Sequence, residues 1–141
     1  MWLEVSNKPR ALKMNVLKKA IAYAENYLNM NIDINVDITF TKNLDAHGWA
    51  MDIEYGQYEI EVKHGLTPRQ LVKTILHELV HVDQYEKGRL VSAEGKKPNR
   101  WMGKICRAAY ADQPWEIEAY KLENRMYRNF MRKCKKEGVN L

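Results

Sequence analysis

Between Ile32 and Val62 the hydrophobic period is two, and on either side of that stretch it is close to 3.6. Ile32, Ile34, Val36, Ile38 and Phe40 alternate with Asp33, Asn35, Asp37, Thr39 and Thr41, which describes a strand with one apolar face and one wet face. Trp49, Met51, Ile53 and Tyr55 repeat the pattern, and Tyr58, Ile60 and Val62 resume it after Gly56-Gln57. A Gly-x pair between two alternating runs predicts a two-residue hairpin with glycine at the first turn position. The expectation is a three-stranded, antiparallel-rich sheet arranged as a meander. One face of such a sheet must be covered by helices.

Helical patterns stand ready on both sides. Leu12, Val16, Leu17, Ala20, Ile21, Ala24 and Leu28 share one side of an amphipathic helix over Pro9 to Leu28. Thr67-Pro68-Arg69-Gln70 supplies a capping hydroxyl, a proline at the first helical position and a glutamine at the third. Leu71, Val72, Ile75, Leu76 and Leu79 then form a core stripe, and Gly88 marks the stop. A polar stretch, Arg89 to Asn99, leads to a short apolar helix expected through Trp101, Met102, Ile105, Cys106 and Ala109. Asp112-Gln113-Pro114 opens a last helix whose buried side is expected at Trp115, Ala119, Leu122, Met126 and Phe130. The fold class is α+β: an N-terminal helix, the small sheet, a central helix and C-terminal helices.

At 141 residues and 45% hydrophobic, the chain has material for one domain, residues 1–141, and little for a second. No apolar run is long enough to cross a bilayer, and Met1-Trp2-Leu3-Glu4-Val5 lacks the basic-then-apolar pattern of an export signal. Cys106 and Cys134 lie far apart with no C-x-x-C pattern, so they read as reduced packing residues in a cytoplasmic protein. The net charge of +5 is concentrated late in the chain. Arg125, Arg128, Arg132, Lys133, Lys135 and Lys136 crowd the end of the last helix, where cations complement the helix dipole. A solvated helix end is preferred there over a weak nucleic-acid contact.

The chemistry centres on His77-Glu78-Leu79-Val80-His81, an H-E-x-x-H motif. On a helix the four-residue step brings the second histidine to within about 40° of the first, so both imidazoles aim at one point. Zn²⁺ held there needs a third protein ligand and one open position, and Glu78 can take a proton from a coordinated water. Glu116 and Glu118, in the first turns of the last helix, are the best candidates for the third ligand. They stand about 200° apart and flank the apolar stripe at comparable angles, so helix geometry leaves both open. His47 and His64 read as loop residues, and Asp83 turns away from the histidines along the helix.

The succession of helix, small sheet, H-E-x-x-H helix and later glutamate resembles the minimal zinc metallopeptidases of the gluzincin type over most of residues 10–130. His77 to Tyr85 with Gly88 is also similar to the SprT-like proteases, which use a third histidine downstream, and no histidine follows His81 here. Pro114-Trp115-Glu116-Ile117-Glu118-Ala119 is similar to the E-x-E-A segment of ImmA/IrrE-like metallopeptidases, in which the first glutamate binds the metal. The Asn and Phe usual after that segment are replaced by Tyr120 and Leu122. The resemblance implies a minimal zincin-like fold, with His77, His81 and Glu116 as ligands and Glu118 as second choice.

The expected activity is therefore zinc-dependent hydrolysis of peptide bonds in a protein or peptide substrate, with Glu78 as general base. Tyr85, Tyr110 and Tyr120 are candidate donors to the oxyanion, and Tyr58 to Lys63 is a candidate sheet edge for pairing an extended substrate. Glu59 and Glu61 on such an edge favour basic segments. Two other classes are compatible: a non-catalytic, zinc-stabilised binding module, and a nucleic-acid binding protein with an incidental motif. A DNA-associated protease is a variant of the first reading. Glu78 argues for catalysis, since a purely structural site needs no base beside its ligands.

Overall fold

A computed structural model describes all of residues 1–141. Strand β1 (Trp2–Ser6) leads to helix α1 (Met14–Tyr27), then to β2 (Asn35–Thr41), β3 (Gly48–Glu54) and β4 (Gln57–Lys63). Helix α2 (Pro68–Glu86) follows, then the short strands β5 (Leu90–Val91), β6 (Arg100–Trp101) and β7 (Lys104–Ile105). A single 3₁₀ turn at Tyr110–Asp112 precedes helix α3 (Pro114–Glu137). The architecture is α+β, as the change of period requires. No helix is long and apolar enough to cross a membrane.

The sheet is not the expected meander. Its strand order is β1-β2-β4-β3, with β1–β2 and β2–β4 parallel and only β3–β4 antiparallel. Burial explains the order. Val36, Ile38 and Phe40 on β2 and Tyr58, Ile60 and Val62 on β4 are all buried, whereas β3 has no buried residue. The strand with least to bury takes the edge, and β4 inserts between its neighbours. Tyr58 to Lys63 is therefore an interior strand and not the edge expected from the sequence. Strand β1, five residues with Glu4 and Ser6 pointing outward, carries too short an alternation to be read in advance.

The hairpin turn also differs in detail. Glu54 pairs with Gln57, which makes Tyr55-Gly56 the two turn residues and places the glycine second, at φ +76°. A register shift between Asp52 and Glu54 absorbs the extra residue as a bulge. The expected helix over Trp101 to Ala109 is replaced by the β6–β7 hairpin. Met102 and Gly103 both have positive φ, the conformation of a tight two-residue turn, and Met102 and Ile105 stay exposed, leaving no apolar stripe for a helix to bury.

One core of 26 buried residues joins the inner face of the sheet to α1, α2 and α3. Helix α1 is shorter than its apolar pattern, because Pro9 to Lys13 lie ahead of it, although Leu12 is buried. Helix α2 runs through the middle and is buried along most of its length from Leu71 to Gln84. Its start is the capping box read from the sequence: Gln70 N donates to Thr67 Oγ1 at 3.2 Å, and Thr67 N donates to Gln70 Oε1 at 3.0 Å. Helix α3 begins with Pro114 in its first turn and ends on Gly138 in a left-handed cap. Its buried side is Trp115, Ala119, Glu123, Met126, Phe130 and Cys134; Leu122, expected on that side, is half-buried, and Glu123 takes its place.

Candidate metal centre

The second half of α2 presents His77, Glu78 and His81, all buried, with ligating atoms within 4.8 Å of one another. The single helical turn between the histidines sets this spacing, and their rings meet edge to face at 4.9 Å between centroids. This buried group can hold a metal ion. Helix α3 crosses so that its first turn lies against the histidines. Glu116 Oε1 stands 3.0 Å from His77 Nε2 and 3.0 Å from His81 Nε2. Donor atoms around a shared tetrahedral zinc sit about 3.3 Å apart, close to these separations.

Glu118 is occupied elsewhere. Arg89 Nη1 lies 2.8 Å from each of its carboxylate oxygens, and Gln84 Nε2 donates to Glu118 Oε1 at 3.2 Å. Arg89 also reaches Asp83 at 3.5 Å, so one guanidinium ties the end of α2 to the start of α3. Asp83 is buried in that network and in an ion pair with Lys87, directed away from the histidines.

The far ring nitrogens are engaged as well, by residues that sequence reasoning did not single out. His77 Nδ1 donates to Glu123 Oε1 at 3.0 Å, and His81 Nδ1 donates to Gln84 Oε1 at 2.8 Å. Gln84 Nε2 donates to Trp115 O at 3.0 Å, so the amide must turn its oxygen toward His81. With both Nδ1 protons committed, both Nε2 atoms face a carboxylate oxygen that has only lone pairs to offer. Either the rings carry an extra proton or a cation stands between them and Glu116. The donor set fits a divalent ion on these grounds, and the outer hydrogen bonds are those that orient metal-binding imidazoles. A signal for Glu123 existed: a carboxylate at the core position between Ala119 and Met126.

Protonation follows the same geometry. Burial opposes charge on His77, but hydrogen bonds to Glu116 and Glu123 outweigh it and raise the pKa to about 9. Burial also disfavours the Glu116 carboxylate, yet the two histidines hold it down at about 2. Glu78 is pushed up to about 7 by burial, against the pull of His81 and His77. Its Oε2 is buried without a hydrogen-bond partner. A buried carboxyl balanced near neutrality, with one oxygen unpartnered, can accept a proton and give it back.

Glu78 lines two hollows. One, of about 170 Å³, lies between His77, Glu78 and Tyr120 and is rimmed by His47, just ahead of β3. The other, of about 360 Å³, reaches from Glu78, His81 and Glu116 to Trp49, Tyr85, Leu90 and Trp115. His64 lies beyond β4, where its N–H donates to Thr41 O. Tyr110 borders both hollows and its hydroxyl is 3.1 Å from that of Tyr120, whose ring packs 4.5 Å from His77. Burial and the Tyr120 hydrogen bond raise the Tyr110 phenol, so it keeps its proton. Tyr85 lines only the larger hollow.

Gly48 lets β3 approach this wall. A Cβ there would lie 2.7 Å from Thr74 Cγ2, 2.8 Å from the Glu61 carbonyl oxygen and 3.4 Å from Glu78 Cγ. No family model matches the chain, and neither a curated protein nor a solved structure matches it.

Proposed function

We propose that the protein is a zinc-dependent metallopeptidase of the gluzincin type, with the ion held by His77, His81 and Glu116. The observation that carries this reading is the meeting of both Nε2 atoms on Glu116 Oε1 beside a buried carboxyl, Glu78, that has an unpartnered oxygen. Two nitrogens and one oxygen from protein suit zinc with a coordination position left for solvent or substrate. When bound, the ion supplies Lewis-acid polarisation of a carbonyl and makes a water acidic enough to attack near neutral pH.

The chain's own residues do the rest. Glu78 takes the proton of the attacking water and returns it to the departing amine, a role suited to its raised pKa. Tyr110, kept protonated at the junction of the two hollows, is the donor best placed for the developing oxyanion. Strand β3, at the sheet edge and packed against α2, has one unpaired side on which an extended peptide can add as a further strand. Glu59 and Glu61 lie on the interior strand and have no part in that edge. The larger hollow, walled by Trp49, Tyr85, Leu90 and Trp115, takes an uncharged side chain.

Metal analysis paired with cleavage of casein, for the native protein and for Glu78→Gln, tests the proposal. One zinc in both proteins with cleavage by the native one alone supports it. Zinc in both with no cleavage by either makes the centre that of a metal-stabilised binding module, and no zinc in either removes the basis of the reading.

A further inference from the structure

The largest hollow of the molecule is not at the metal centre. It lies between the first turns of α2 and the last turns of α3, has a volume of about 970 Å³, and is lined by twelve residues. Five of the twelve are cations, Arg69 and Lys73 from α2 with Arg128, Arg132 and Lys135 from α3, and none has an acidic side chain. Only Lys73 has a carboxylate partner, Glu123, at 3.7 Å. The other four are exposed and form no ion pair. Arg69 and Lys73 lie over the Tyr127 ring at 5.5 and 5.7 Å, which holds their charges on the wall of the groove.

A solvated helix end does not account for this arrangement. Complementing the helix dipole is effective only within the last turn, which covers Lys135 and Lys136. Arg128 stands well before that turn, and Arg69 and Lys73 belong to another helix at its opposite end. Gathering unpaired cations in one concavity raises their mutual repulsion, which a polyanion relieves.

We infer that this groove binds the phosphate backbone of a nucleic-acid strand. Arg128, Arg132 and Lys135 follow one another at helical steps of four and three, forming a row about 10 Å long with Arg69 and Lys73 facing it. Arg125, Lys133 and Lys136 continue the positive field outside the groove, and Glu137 is the sole acid among residues 124–137. A field longer than the hollow matches a ligand that carries a charge at every unit along its length. Asn124 and Asn140 on the lining add amide groups for sugar or base edges. The groove and the metal centre are distinct hollows that meet at one point: Arg69 precedes His77 by eight residues, about 12 Å along α2, while Lys73 reaches Glu123, the partner of His77 Nδ1.

The test measures fluorescence anisotropy of a labelled 20-nucleotide single strand and of its duplex across a salt series. It uses the 141-residue protein, its variant Arg128→Gln/Arg132→Gln/Lys135→Gln, and a charge-matched control, Lys42→Gln/Lys96→Gln/Lys97→Gln. All six positions are exposed, and a second groove variant, Arg132→Gln/Lys135→Gln, guards against a folding defect. The expected result is loss of at least tenfold in affinity for the groove triple, with the slope of log affinity against log salt reduced by about 2 to 3. The control keeps the native slope within about one unit, and binding of either strand form supports the inference. It is overturned if the native protein binds neither form, if groove and control variants weaken equally, or if polyglutamate of matched charge competes as well as the oligonucleotide.

Discussion

His77 passes its Nδ1 proton toward Glu123 across 3.0 Å, while the other oxygen of Glu123 lies 3.7 Å from Lys73 Nζ. The buried His77–Glu123 contact sets the direction of the imidazole and so the point at which its Nε2 aims. Glu123→Ala removes the acceptor and leaves His77 free to turn or change tautomer. Metal affinity is expected to fall by about 10 to 100-fold, as for other carboxylates that orient metal-bound histidines. Competition against a chromophoric chelator measures it. Gln84→Ala acts on His81 through the equivalent contact and is expected to weaken binding in the same range. Unchanged affinity in both variants would show that the imidazoles are oriented by packing alone.

The metal-free protein carries its own pH signature. His77 is raised from 6.5 to about 9 and Glu78 from 4.5 to about 7. A group with a raised folded pKa contributes stability that is complete below its unfolded value and is lost as pH rises through the folded one. Both groups therefore act in the same direction. With chelator present, thermal stability should decline as pH goes from about 5 to above 9, the Glu78 share vanishing near 7 and the His77 share near 9. Glu116, lowered from 4.5 to about 2, contributes above 4.5 and loses its share as pH falls toward 2. If zinc binds as proposed it must displace the His77 proton, so its apparent affinity should rise with pH up to about 9 and its uptake at pH 7 should release protons. Calorimetry in buffers of different ionisation enthalpy detects that release; its absence would contradict a protonated His77.

Much of this architecture is local in origin, and that part was legible from the chain alone. The histidines meet because four residues make about one turn, and Thr67 and Gln70 cap α2 because they stand three residues apart. Strand pairing is a different kind of information. Three runs share a period of two, and which becomes the edge depends on how much each buries against helices far away in sequence. β3 yields its place to β4 for that reason. Trp101 to Ile105 misled because a positive φ at Met102, a residue type that rarely adopts one, closes a hairpin where an apolar run reads as a helix. Glu123 becomes a partner of His77 only through the crossing of α2 and α3, which no spacing within either helix specifies, whereas Gln84 meets His81 from three residues along the same helix and takes only its second contact, Trp115 O, from α3.

Gly48 is required by space rather than by backbone conformation. The Glu61 carbonyl that a Cβ would strike belongs to β4, fixed by the pairing of Gly48 with Val62. Gly48→Ala must push β3 away from α2, with an expected cost of about 1–3 kcal/mol in denaturant unfolding. It also moves the wall against which Glu78 rests, so cleavage should drop while zinc content holds. Adding Thr74→Ser removes one of the two close contacts and leaves the carbonyl. Partial recovery of stability is expected, and full recovery would mean that the strand had room to adjust.

Glu116 and Glu118 sit two residues apart on α3 and do opposite work. Glu116 meets both Nε2 atoms, whereas Glu118 is held by Arg89 and Gln84. Glu116→Ala is therefore expected to lose zinc more severely than Glu123→Ala, since it removes a donor atom rather than a partner of one. It also leaves two imidazoles facing each other in a buried space without their shared counter-charge. Glu118→Ala should retain zinc at near-native affinity. Its cost is one partly exposed ion pair, about 0.5–1 kcal/mol, together with whatever Arg89 contributed by tying α2 to α3. Equilibrium dialysis with radioactive zinc separates the two variants. Retention by Glu116→Ala with loss by Glu118→Ala would reverse the assignment, and equal loss by both would show that the start of α3, rather than one carboxylate, completes the centre.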